Sequence, residues 1–427
     1  MAKKLKFQRP VGMQDILPEE QQYFQRVYNV ARNMAGFYGF EKIDTPILEE
    51  TDLFSKGTGL STDIVQKQMF TLKTKGGDSL TLRPEWTPGI VRSYIEHGMF
   101  NLPQPVKLWH WGPVFRHEHP QSGRLRQFWQ FGFESIGETG PIIDVQIIQI
   151  FYDILEELRL KNLIVEINSI GDSQCRPYYK KLLTSYFRSR ENSLCSDCSR
   201  RLRENPLRIL DCKEEKCGQL ISQAPQSIDH LCEECHNHFK EVLEFLDGIE
   251  LNYTLNPHLV RGLDYYTKTV FEIFPEGAER KNQGALVGGG RYDALVKLLG
   301  GKDTPSAGGA GGVERIVALM KERNIKFPEA IEAKVFLAQL GNLAKRKCLK
   351  LLEEFRNEKI LVAESLSRDS LKVQLARANK IGVKYTLILG QKEALDGTII
   401  IRDMDGGKQE IAKLEKVVQE IKKRLKK

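Results

Sequence analysis

The 427-residue sequence has no run of 18 or more apolar residues, so nothing in it has the length of a membrane-spanning helix. Its opening, Met1-Ala-Lys-Lys-Leu-Lys, is basic but lacks the apolar stretch of a secretory signal, and a cytoplasmic protein with no membrane partner is expected. Cysteine is almost missing outside one stretch, because seven of the eight lie between 173 and 250. A positive surplus is missing from the first 330 residues, which hold 42 Lys+Arg against 43 Asp+Glu. Residues 331–427 hold 22 against 13 and carry the whole excess. That end suits a phosphate-rich partner, although Lys422, Lys423, Arg424, Lys426 and Lys427 taken alone also fit a solvated tail. The composition is that of a globular protein rather than a disordered one, and the length provides two or three domains with proper cores.

What is present falls into an ordered series of peptides. An irregular arm over residues 7–18 leads to a helix over roughly 18–38, with Tyr23, Val27, Val30, Ala31 and Met34 at helical spacing. Phe40 to Leu48 reads as an edge or interface strand because of Pro46. In Ser79-Leu-Thr-Leu-Arg-Pro-Glu-Trp-Thr87, an extended backbone projects Glu85 and Thr87 the same way, a carboxylate and a hydroxyl suited to an ammonium group. A polar turn after Pro84 is the plainer alternative.

Val114-Phe-Arg-His-Glu118 and Gln127-Phe-Trp-Gln-Phe-Gly-Phe-Glu134 read as two strands around a long hairpin loop. Alternation puts Arg116 and Glu118 on one face of the first strand. It puts Gln130, Gly132 and Glu134 on one face of the second, with Trp129, Phe131 and Phe133 on the other. The glycine between two polar residues leaves a vacancy, either a pocket floor or the polar outside of an ordinary hairpin. A helix over about 144–159 and a strand from Asn162 to Ile167 follow.

Leu259-Val-Arg-Gly-Leu-Asp-Tyr-Tyr-Thr-Lys-Thr-Val-Phe-Glu272 pairs an arginine fork with two tyrosines ahead of a strand. Adjacent strand residues point to opposite faces, so only one of Tyr265 and Tyr266 is expected to face a ligand squarely. Ala285 to Val296 reads as a strand, a glycine turn and a helix start. Ser306-Ala-Gly-Gly-Ala-Gly-Gly-Val-Glu-Arg315 runs into a helix whose first turn holds Arg315. A cation is disfavoured there by the helix dipole, so a phosphate or a neighbouring carboxylate should hold it.

Together these peptides resemble the histidyl-tRNA synthetases of class II. The 259–272 peptide is similar to the first family signature, Leu82-Arg-Pro-Glu-Trp-Thr87 to the amino-group site, and the hairpin to motif 2. Gly289-Gly-Arg-Tyr-Asp293 resembles the second signature, and the segment reaching Arg315 resembles motif 3. The resemblance implies an α+β fold. A class II catalytic domain at 1–330, an antiparallel sheet flanked by helices, would carry a helical insertion at about 173–250. A C-terminal α/β anticodon-binding domain at 334–427 would follow it.

It also implies that L-histidine and ATP, with Mg²⁺, give histidyl-adenylate, whose histidyl group passes to tRNA(His). Arg261, Arg116 and Gln130 would be the catalytic groups, Arg261 standing in for a catalytic metal beside the α-phosphate. Histidine would be held by Glu85, Thr87, Arg116, Gln130, Glu134, Arg261, Tyr265 and Tyr266, with Glu134 accepting from the imidazole. ATP would meet Arg116, Glu118 at its adenine and Arg315 at its γ-phosphate, while Gln121, Arg124 and Arg126 would face the tRNA acceptor end. The chain would form a homodimer through the segment around Phe40–Leu48, and no DNA partner is expected. Trp86, His119 and Trp129 depart from the family pattern. A non-catalytic histidine-sensing regulatory paralogue, and a zinc-bearing RNA-binding module, are the rival readings.

The cysteines are spaced Cys195-X-X-Cys198, Cys212-X4-Cys217 and Cys232-X-X-Cys235. Paired thiols in an intracellular chain suggest zinc before disulfides. Cys195, Cys198, Cys212 and Cys217 form the expected structural zinc set, which leaves Cys175, Cys232 and Cys235 over.

Overall fold

A computed structural model describes residues 7–118, 124–277, 284–326 and 333–426. The chain divides into two units, Met1–Ile325 and Lys326–Lys427. Among the described residues no helix is long and apolar enough to cross a membrane.

The first unit opens on helix Pro18–Tyr38, as expected: Pro18 enters it, Glu19 and Glu20 suit its positive end, and Gly39 closes it at φ 73°. Its strands are β1 (Glu41–Lys42), β2 (Leu48–Glu50), β3 (Phe70–Lys73), β4 (Ser79–Leu82), β5 (Val106–Phe115), β6 (Gln127–Ile136), β7 (Leu163–Ser169), β8 (Tyr253–Leu255), β9 (Thr267–Pro275), β10 (Val287–Arg291) and β11 (Ser306–Gly312). Eight of them form one sheet in the order β1-β5-β6-β11-β10-β9-β7-β8. Only the edge pairs β1–β5 and β7–β8 are parallel. β2, β4 and β3 make a separate three-stranded sheet. The strand expected over Phe40–Leu48 is thus two short strands in different sheets, parted around Pro46, which lacks a ladder donor.

Register explains how the large sheet divides its labour. One row of side chains runs Trp109, Phe133, Gly309, Gly289 and Phe271 across five strands. It packs against helix Ile142–Glu157, whose Phe151 ring lies 5.4 Å from Phe133. The opposite face carries His110, Gly132, Ala310, Gly288 and Glu272 in one row and Leu108, Glu134, Gly308, Gly290 and Val270 in the next. The alternation expected for residues 129–134 holds. The glycines at 288–290 do not form a turn: they sit inside β10, paired on both sides, and the run at 306–312 is itself a strand.

Helices Arg176–Arg188, Ser196–Glu204 and Glu215–Ile221 gather their own core around Tyr179, Leu183, Phe187, Leu202 and Ile221. Helix Glu233–Gly248, inside the segment expected to be the insertion, is tied to the sheet's covering helix by His238 Nε2, 2.7 Å from Asp144 Oδ2.

The second unit is a five-stranded sheet in the order β13-β12-β14-β15-β16, with β12 at Val335–Gln339, β13 at Val362–Glu364, β14 at Tyr385–Leu389, β15 at Thr398–Asp403 and β16 at Gln409–Lys413. Helices Asn342–Asn357, Leu371–Ile381, Gln391–Asp396 and Val417–Lys426 complete it. Two of these elements leave little periodic signal in the sequence: the helix at Gln391–Asp396 buries only Ala394, and β16 alternates without a fully buried position.

Candidate active site

The site stands on the glycine-paved face of the large sheet. A Cβ on Gly288 would occupy the space of the Arg261 guanidinium, one on Gly308 that of the Glu134 carboxylate, and one on Gly132 that of the His110 ring. Three functional-looking side chains therefore lie flat against bare backbone. The vacancy expected beside Gly132 is not open: His110, its neighbour across the ladder, fills it and stacks on Trp86 with ring centroids 4.5 Å apart. Burial holds the His110 imidazole well below its ordinary pKa, with the positive charge of Arg83 adding to the effect.

A cavity of about 760 Å³ opens over this face, and its wall includes Arg116, Glu118, Arg124, Gln130, Arg261, Glu272 and Arg315. Arg116 and Glu118 lie just beyond the end of β5 rather than within it, yet the ladder continues through Arg116 N–H to Arg126 O at 2.9 Å. Arg116 is braced by Nε donating to Pro84 O at 2.9 Å, which couples the hairpin to the Arg-Pro-Glu turn. Glu118 faces Arg124 at 3.5 Å, and Arg261 is paired with Glu272. Arg315 donates to Ala285 O at 2.8 Å. Burial first, then the positive charges of Arg124, Arg116 and Arg261, pull the Arg315 guanidinium below its usual pKa. Arg116, Arg124, Arg261 and Arg315 thus share one cavity, each already held by a carboxylate or a carbonyl, and their planar forks suit an anionic ligand.

A second group lies outside the wall of that cavity. Glu85 accepts from Thr58 Oγ1 and Tyr265 OH, each at 2.7 Å. Burial raises its pKa, opposed by those two hydrogen bonds and by Arg116 and Arg261. Glu134, 1% exposed, accepts from Thr87 Oγ1 at 2.7 Å and from Tyr292 OH. Desolvation pushes it up to about 8 against those two bonds, with Glu85 adding repulsion. The Tyr265 and Tyr266 rings lie 4.7 Å apart, and Arg261 Cζ is 5.8 Å from the Tyr266 ring, so the tyrosines join the arginine cavity to the carboxyl pair.

Two expectations about backbone are corrected. Residues 85–87 are not extended, since Thr87 begins helix Thr87–Glu96 after Trp86 in the helical region; Glu85 and Thr87 are both buried there all the same. Tyr265 and Tyr266 precede β9, so strand alternation does not separate them, and both rings are buried side by side. Lys268 at φ 48°, with a register shift opposite Gly290 and Arg291, marks the bulge that re-aims the chain.

Arg124 lines the cavity at the foot of the hairpin loop and Arg126 donates to Glu118 O at 3.2 Å, while Gln121 and His119 fall outside the described residues. Trp86 is buried under Arg83, 3.4 Å from its ring, and Trp129 packs 5.9 Å from Trp111 on the face away from the site. Sequence reasoning passed over Tyr292 and Glu314. Tyr292 belongs to a quoted peptide but projects to Glu134 from 158 residues away, a pairing no spacing reveals. Glu314 takes the Trp129 N–H on both oxygens, at 3.0 and 2.9 Å, and burial raises it to about 7.

The expected zinc set is assembled. One ligand atom from each of Cys195, Cys198, Cys212 and Cys217 lies within 4.8 Å of the others, and Cys195 and Cys212 sulfurs are 3.9 Å apart. Cys195 and Cys212 also border the arginine cavity, as do Arg201 and Arg208 of the same segment. Arg201 reaches Asp63 at 2.6 Å, and Arg208 donates to Arg261 O at 3.4 Å.

The family model described as histidyl-tRNA synthetase matches residues 12–316, and that described as anticodon binding domain matches residues 334–424. A histidine–tRNA ligase of Acetivibrio thermocellus is 42% identical over 415 residues, 97% of this chain and 99% of its own length. One from Desulfitobacterium hafniense is 44% identical over 402 residues, 94% of each chain. The crystal structure of apo histidyl-tRNA synthetase from S. aureus aligns with a TM-score of 0.80 at 35% identity, covering 97% of this chain and 99% of that one. With one family model spanning most of its length and its motifs gathered on one sheet face, this chain belongs to the histidyl-tRNA synthetase family.

Proposed function

We propose that this chain ligates L-histidine to tRNA(His) through histidyl-adenylate. The observation that carries the reading is the convergence of Arg116, Arg124, Arg261 and Arg315 on one cavity, which Tyr265 and Tyr266 join to the buried Glu85–Glu134 pair behind it. The first step is an in-line attack of the histidine carboxylate on the α-phosphorus, so the protein contributes positioning and stabilisation of charge.

In this reading Arg116 and Arg261 flank the α-phosphate, Gln130 and Arg116 orient the carboxylate, and Arg315 receives the γ-phosphate. Glu118 accepts from the adenine amino group, and Mg²⁺ enters with ATP as part of the substrate. Glu85 and Thr87 seat the ammonium group. Glu134, Tyr265 and Tyr266 read the imidazole, which requires the tyrosine rings to open a place for it. A site that hydrogen-bonds a ring N–H rejects analogues lacking it by about 10⁴–10⁵ without editing.

Arg124, Arg126 and Gln121 face the tRNA acceptor end, and the basic domain at 334–427 meets the anticodon. A further cavity of about 780 Å³ in the insertion, with Lys180, Lys181, Arg188 and Arg203 in its wall, suits the phosphates of the acceptor stem. The chain works as a cytoplasmic homodimer, and a structural zinc at Cys195, Cys198, Cys212 and Cys217 stiffens the insertion.

Histidine-dependent ATP–pyrophosphate exchange tests the reading. Exchange followed by charging of tRNA(His) is expected. A chain that binds histidine but gives no exchange is a regulatory paralogue instead, and one that binds RNA alone is neither.

A further inference from the structure

The first four-thiol set leaves Cys175, Cys232 and Cys235 of the insertion segment, and the structure brings these three together with a carboxylate at the insertion's neck. Asp172 and Cys175 lie between the end of β7 and helix Arg176–Arg188; Cys232 and Cys235 begin helix Glu233–Gly248. One ligand atom from each lies within 4.8 Å of the rest. Cys175 Sγ is 3.6 Å from Cys232 Sγ and 3.4 Å from Asp172 Oδ1. Zinc bonds of about 2.3 Å to sulfur and about 2.1 Å to oxygen require tetrahedral edges of about 3.8 and 3.6 Å. Both separations at Cys175 come within about 0.2 Å of those edges.

Local backbone points the same way. Cys232 caps its helix at φ −69°, ψ 164°, and Cys195 caps its own at φ −74°, ψ 163°. Each is the first cysteine of a Cys-X-X-Cys at a helix start, so the two knuckles share one shape. Asp172 and Cys175 arrive differently, on a turn that ends with Cys175 as the helical cap at φ −83°, ψ −32°, with Asp172 Oδ1 accepting from Gln174 N–H at 2.8 Å. Gly171 has φ 63°, and a Cβ there would stand 2.6 Å from Cys175 Sγ, so glycine is what lets that thiol turn inward. A disulfide is not the explanation, because its sulfurs stand about 2.05 Å apart.

We propose that Asp172, Cys175, Cys232 and Cys235 bind a second structural zinc, a three-thiolate, one-carboxylate site that fastens the insertion's entrance to its exit. Three thiolates and a carboxylate leave the complex anionic, and the starts of two helices supply the positive ends that offset it. Cys175 and Cys232 are 57 residues apart, so the ion closes a loop that contains the whole of the first zinc set. It also fixes the neck from which Arg201 and Arg208 reach the arginine cavity.

Metal analysis of the full chain, purified without chelators from zinc-supplemented medium, reads the proposal directly. Two zinc ions per chain are expected, falling to one in Cys232→Ser and in Asp172→Ala. Cys198→Ser is likewise expected to retain one, the Cys198→Ser/Cys232→Ser pair none, and Asp172→Cys both. Where a variant does not fold, cobalt titration of the unaltered, demetallated chain should saturate its thiolate-to-metal absorbance at two equivalents. Saturation at one equivalent, a zinc count unchanged by Cys232→Ser, or a Cys175–Cys232 disulfide in the purified chain would each overturn it. The count is independent of whether the chain charges tRNA.

Discussion

Tyr292 donates its hydroxyl hydrogen to Glu134, joining the second signature peptide to the floor of the site. Together with Thr87 at 2.7 Å it is what keeps a carboxyl so deeply buried from rising further than about 8. Removing that donor in Tyr292→Phe should push the acid higher and raise the KM for histidine about tenfold, the worth of one hydrogen bond to a charged group. The pH dependence of that KM should move to higher pH, with kcat little changed. Pyrophosphate exchange measured from pH 6 to 9 checks this; an unmoved profile removes Glu134 from imidazole recognition.

The same acid makes stability depend on pH. Unfolded, it titrates near about 4.3; folded, near about 8. Between those values the folded chain holds the extra proton, so this group's contribution falls as pH rises through the window. Glu134→Gln cannot lose that proton. Its melting temperature relative to the parent should therefore climb from pH 5 to pH 9 in scanning calorimetry. Glu314, raised to about 7, titrates in the same sense but remains in both proteins. A difference that stays flat with pH contradicts the assignment.

Arg261→Ala should cut adenylate formation by about 10²–10³, the usual cost of losing a donor aimed at developing charge. Histidine binding, read by calorimetry, should survive, because Glu85, Thr87 and Glu134 remain. Unchanged exchange would remove this arginine from the chemistry.

Gly308→Ala tests the bare sheet. The added methyl takes the place of the Glu134 carboxylate, so histidine recognition should be lost while the circular dichroism spectrum persists. Gly218→Ala, which meets nothing within 4 Å, is the matched control and should leave binding alone.

Arg291 is fully buried and donates to Asp144 at 3.0 Å, to Asp293 at 3.1 Å and to the carbonyls of Glu138 and Gly140. Arg291→Met strips Asp144 of its main counter-charge and should cost about 3–5 kcal/mol in urea unfolding. A loss below about 1 kcal/mol would show that His238 and Thr269 suffice to hold the carboxylate.

Much of this was legible in the residues and some was not. Helix Pro18–Tyr38 was readable end to end because Pro18 and Gly39 punctuate it. The two faces of β6 followed from alternation alone. The glycines of β10 misled, since glycine usually marks turns and only the neighbouring side chains reveal why a strand should be bare. Tyr265 and Tyr266 misled because the bulge at Lys268 is a tertiary feature. Asp172 was invisible as a ligand: no spacing rule connects a lone aspartate to a cysteine pair 60 residues on, and only the fold brings them to one point.

The glycine paving has a last consequence. A sheet centre without side chains has nothing of its own to bury on that face, so the middle of the domain is covered by polar groups, Arg261, Glu134 and His110, rather than by an apolar layer. Histidine and the nucleotide, seated on Arg261 and Glu134 where these cover Gly288 and Gly308, would complete the packing on that side. Substrate and scaffold would then solidify together, and heat resistance would become a property of the loaded state rather than of the polypeptide alone.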